Sequence, residues 1–124
     1  MMASCTEASA FPLPARPTPA RFLLDAEAAF RGALTESLGG LPLCDHNLLR
    51  FHHVRGLTVD QLADMFGSSR AAMVRQLARI RDRLLRDSRR GLAARLPLDK
   101  HELDQLIELA RSRLDLAITR VLRG

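Results

Sequence analysis

The sequence predicts an all-α protein, a helix-turn-helix bundle followed by a long C-terminal helix. Three observations lead there. From Arg21 onward, apolar residues recur at three- and four-residue steps, the period of a helix with one buried face. There is no strand-like alternation of useful length. Residues that start helices (Thr58, Ser69, Asp99) and residues that stop them (Gly56, Gly67, Pro97) cut the pattern into helix-sized segments. The 124 residues make one domain, and 47% hydrophobic with 27% charged residues is a globular balance that excludes a fibrous or wholly disordered chain. No apolar run approaches the roughly 18 residues of a membrane-spanning helix, so no membrane partner is expected.

Residues 1–20 carry Pro12, Pro14, Pro17 and Pro19 and read as a disordered or polyproline-like tail. A first helix starts at Arg21, with Ala26, Ala29, Phe30, Ala33 and Leu34 on one stripe, and stops at Gly39-Gly40. Pro42 opens a second, whose apolar face is Leu43, Leu48, Leu49, Phe51 and Val54; Gly56 ends it as a left-handed residue. Thr58 and Gln61 have the spacing of a capping box, and Leu57 and Leu62 that of a hydrophobic staple. They open a short helix, Val59 to Phe66, with Leu62, Ala63 and Phe66 inward. Gly67 breaks it, and Ser68 or Ser69 caps a helix that runs from Arg70 to about Arg95, with Leu77, Ile80, Leu84 and Leu85 buried and Gly91 placed to break or bend it. Bundle and helix-turn-helix thus span residues 21–95 and 58–85. Asp99 with Glu102 then caps a last helix, 98–124, whose Leu109, Leu116 and Leu122 widen the apolar stripe beyond what one small core needs.

Function is carried by the charge. Nineteen basic residues against 14 acidic ones give a net charge of +5, which favours a polyanionic partner. The helix after Ser69 holds nine arginines against Asp82 and Asp87. Two short-linked helices with such a second member suit the major groove of double-stranded DNA, because a helix has the groove's width and its first turns reach base edges. The DNA-binding candidates are Thr58, Ser68, Ser69, Arg70, Ala71, Val74, Arg75, Arg79 and Arg83. Arg70 or Arg75 is expected to place a two-pronged guanidinium on guanine. Ser68, Ser69, Arg79 and Arg83 are expected on phosphate.

The stretch LLRFHHVRGLTVDQLADMFGSSRAAMVRQLARIRDRLL, Leu48 to Leu85, resembles region 4 of the sigma-70 superfamily, in particular the extracytoplasmic-function sigma factors. Gly56-Leu57-Thr58, Leu62-Ala63, Gly67, Ser69, Arg75-Gln76-Leu77, Arg79-Ile80-Arg81 and Leu84 fall in the family's register, and Leu41-Pro42 fits ahead of them. The resemblance implies transcription initiation or its regulation, reading of a −35 promoter element and contact with the RNA polymerase core. Ala72-Met73 stands where the family has Thr-Val, which removes a hydroxyl and is expected to loosen the packing there. Nothing ahead of residue 42 matches the domain with which such factors melt promoters.

A second reading is a protein-interaction module, in which the last helix pairs with polymerase, an anti-sigma partner or a second copy. An enzyme is not expected. His52 and His53 are neighbours that point about 100° apart on a helix, a poor pair for one metal. Cys44 and His46 lack a second ligand pair, and Glu27, Glu36 and Glu102 lack an acid–base partner. No phosphate-cradling glycine loop occurs, and no cofactor is expected. Two cysteines, Cys5 and Cys44, make no disulfide framework, which points to a reduced, cytoplasmic protein.

Overall fold

A computed structural model describes residues 19–124; of the expected tail, residues 1–20, the first 18 lie outside the described residues, while Pro19 and Ala20 belong to a helix. The described residues form six α-helices and one π-helical turn. They are α1 (Pro19–Gly39), α2 (Leu43–Leu49) running into the π turn (Arg50–Val54), α3 (Val59–Phe66), α4 (Arg70–Arg95), α5 (Lys100–Ser112) and α6 (Leu114–Arg123). Helix α1 begins at Pro19, two residues ahead of the expected start. A proline is well placed in a first turn, where its missing N–H would have no partner anyway.

Local signals set most boundaries. Thr58 Oγ1 accepts from Gln61 N (3.1 Å) while Gln61 Oε1 accepts from Thr58 N (2.8 Å). Asp99 and Glu102 repeat the same reciprocal cap at α5. Such caps contribute about 1 kcal/mol each. Gly67 adopts φ 65°, ψ 37°, and the N–H groups of Gly67 and Ser68 return to the carbonyls of Asp64 (3.4 Å) and Ala63 (2.8 Å). That is a Schellman close, and its left-handed residue is cheap only as glycine.

The main interface is α1 on α4. Small residues are buried on both helices, Ala26, Ala33 and Ser37 on α1 and Ser88 on α4, and Ala33 stands against Gly91. A Cβ added at Gly91 would lie 2.6 Å from the Ala33 Cβ. Gly91 therefore does not break α4; the helix runs unbroken through it, and the missing side chain lets α1 approach. The principal core gathers Leu34, Leu38, Leu48, Leu49, Leu62, Met73, Ile80, Leu84, Leu114 and Ile118. A smaller cluster holds Leu92, Leu103 and Ile107.

Four details depart from the sequence reading. The single C-terminal helix is two helices. At Arg113 (φ −117°, ψ 11°) the amide bonds the Ala110 carbonyl three residues back, and a new helix starts at once. Leu103 and Ile107 pack in one cluster and Leu114 and Ile118 in the other. The second helix changes to π geometry at Arg50, where Arg55 N bonds the carbonyl five residues back. Leu43 stands in solvent, and Phe66 is 38% exposed, edge-on to Phe51. Met73, one of the two residues where looser packing is expected, is wholly buried.

Candidate nucleic-acid interface

Ser69 ends the three-residue link and caps α4, its hydroxyl accepting from Ala72 N at 3.1 Å. The first turn of α4 sends Met73 into the core and leaves one face of the helix open. Ala71, Val74, Arg75, Ala78 and Arg79 are all exposed there. Val74 is 47% exposed, an apolar side chain that no neighbouring element covers.

Three classes emerge among the nine arginines of α4. Four tie α4 to other helices: Arg70 to Asp60 of α3 (2.7 Å), Arg81 to Asp115 of α6, Arg89 to Asp104 of α5, and Arg95 to Glu36 of α1 (3.0 Å). Arg83 and Arg90 hold Asp87 within α4. The remaining three, Arg75, Arg79 and Arg86, are exposed and make no ion pair among the described residues. At about 100° per residue they lie within about 40° of one another and span about 16 Å of helix. The exposed carboxylate of Asp82 shares this face and lowers its charge.

The candidate residues therefore divide. Ala71, Val74, Arg75 and Arg79 share one open face, with Ser69 at its end. Arg70 is exposed, with its guanidinium paired to the exposed Asp60 of α3. Arg83 is half-buried; it donates to the Gly40 carbonyl (3.2 Å) and to Asp87. It anchors the link between α1 and α2 and does not join the open face. Ser68 is half-buried and its hydroxyl donates to the Ser69 carbonyl. Thr58 is spent in its capping box at the far end of α3. Arg86 was not among the candidates, although its position eleven residues after Arg75, three helical turns, was readable from the sequence.

Both central histidines serve tertiary contacts. His52 Nδ1 donates to the Leu57 carbonyl at 2.8 Å, tying the π turn to the entry of α3. His53 Nδ1 meets Thr119 Oγ1 of α6 at 3.2 Å. Burial, then the neighbouring His52 and Arg81, push the His53 pKa down from 6.5 to about 4, so this imidazole is neutral. Among the described residues no three His, Cys, Asp or Glu side chains lie close enough to hold a metal. No described helix is long and apolar enough to cross a membrane. No family model, curated protein or solved structure matches the chain.

Proposed function

We propose that the chain binds double-stranded DNA in transcription, in the manner of a sigma factor region 4, with α3 and α4 as its helix-turn-helix. The first turns of α4 enter the major groove, and the protein acts beside the RNA polymerase core rather than as an enzyme. The observation that supports this reading is the open face of α4, where Arg75, Arg79 and Arg86 have no internal partner although six other arginines on the same helix do. Arg75 sits in the second turn, close enough to the cap to reach a base edge. Arg79 and Arg86 lie further along, suited to phosphates flanking the groove.

The sharing of roles has a measurable form. A guanidinium on guanine O6 and N7 is worth roughly 1–3 kcal/mol of discrimination. Each phosphate contact adds about 0.9 to the log–log salt slope. Fluorescence anisotropy on a labelled promoter library is the test. Arg75→Ala is expected to flatten sequence preference. Arg79→Ala and Arg86→Ala are each expected to weaken all duplexes alike and to lower the slope by about 0.9. Salt-insensitive binding, or slopes that neither variant changes, would remove the proposal.

A further inference from the structure

A groove of about 410 Å³ opens between α1, α5 and α6, wholly outside residues 48–85. Its floor is apolar, formed by Phe30, Leu92, Leu106, Ala110 and Val121. Leu109 and Leu116 form its walls on either side of the break at Arg113, and they remain 49% and 52% exposed. The volume is well above the roughly 150 Å³ that takes one benzene ring, so two or three aliphatic side chains fit. The rim carries Arg31, Arg113 and Arg120 against Glu27 alone. None of these four side chains has an ion-pair partner among the described residues, whereas most arginines of α4 do.

We propose that this groove docks an amphipathic helix of a partner protein, with leucine-type anchors on one face and acidic residues flanking them. The anchors at i, i+3 or i+4, and i+7 bury Leu109 and Leu116, and the flanking carboxylates pair with the three arginines. Charge selects this occupant over the others. Two copies of the chain joined groove to groove would bring six arginines together against two glutamates. Residues 1–18 of the chain carry one acid, Glu7, and one base, Arg16, and offer the rim no net negative charge. A duplex would meet an apolar floor with its phosphates. None of Arg75, Arg79 and Arg86 lines the groove, so this proposal does not depend on the DNA reading.

The test titrates the full chain with a synthetic helix bearing leucines at i, i+3, i+4 and i+7 with flanking glutamates, and with a twin carrying lysines in their place. The acidic peptide is expected to bind saturably, and at least about tenfold more tightly than the basic one, a difference of about 1.4 kcal/mol. Arg113→Glu with Arg120→Glu is expected to invert that preference while circular dichroism shows an unchanged melt, since both side chains are exposed. Leu116→Ser is expected to weaken both peptides. No saturable binding, equal affinities, or a preference untouched by the charge reversal overturns the proposal. So does a dimer in sedimentation that Leu116→Ser abolishes, which makes a second copy the occupant. Binding that appears only after residues 1–18 are removed also overturns it, since the chain's own segment then holds the groove.

Discussion

Replacing Gly91 with alanine sets two effects of opposite sign against each other. In an isolated helix the change stabilises by about 0.8–1 kcal/mol, because alanine loses less backbone entropy. Here the added methyl would stand 2.6 Å from the Ala33 Cβ, 3.3 Å from its Cα and 3.0 Å from Arg95 Nη1. Arg95 can swing its tip aside. Ala33 cannot move alone, being 2% exposed and part of the α1 backbone. Carbon atoms rest at about 3.5–4.0 Å, so α1 and α4 must part by about 1 Å along their main interface. Overpacking of this kind costs about 1–3 kcal/mol. The net expectation is a loss of up to about 2 kcal/mol, or several degrees in Tm at about 4–8 °C per kcal/mol. Urea unfolding followed by far-UV circular dichroism measures it. Ala33→Gly added to Gly91→Ala is expected to restore part of the loss, with a coupling of about 1 kcal/mol or more between the two sites. A Gly91→Ala protein more stable than the parent by the full propensity gain would refute the close approach of α1 to α4.

Further outcomes follow from single residues. Ser88 is fully buried and its hydroxyl has no hydrogen-bond partner among the described residues, so Ser88→Ala is expected to raise stability by about 1 kcal/mol in the same unfolding assay. The His53 pKa is depressed in the folded protein, so its contribution to stability is complete above about pH 6.5 and is lost as pH falls toward about 4. His53→Gln is expected to flatten that part of the Tm–pH curve relative to the parent, while the carboxylate-driven loss at lower pH stays. Arg83→Ala is expected to lower stability and leave the salt slope of DNA binding unchanged, because the side chain is engaged with Gly40 and Asp87. Arg86→Ala is expected to do the reverse.

Much of the local structure was legible in the sequence. The capping boxes at Thr58 and Asp99 and the Schellman glycine at Gly67 each act over three to five residues, so composition and order suffice to find them. The candidate site was legible as a helix rather than as a face. All nine arginines of α4 look alike in a string of letters, and the sequence reading placed Arg83 with Arg75 and Arg79 while leaving Arg86 out. Gly91 was likewise read by its intrinsic propensity, which favours a break, when its neighbour on α1 requires its small size.

The all-α class and the starts of α3, α4 and α5 rest on short-range energetics and were settled by residue order alone. Which arginines are spent on Asp60, Asp104, Asp115 and Glu36, and which three are left over, depends on partners on other helices, from ten to nearly sixty residues away in the chain. The same is true of the break at Arg113, on either side of which Leu103 and Ile107 pack in one apolar cluster and Leu114 and Ile118 in the other. Caps and turns are closed by neighbours along the chain; ion pairs and clusters are closed by neighbours in space, and only packing decides who those are.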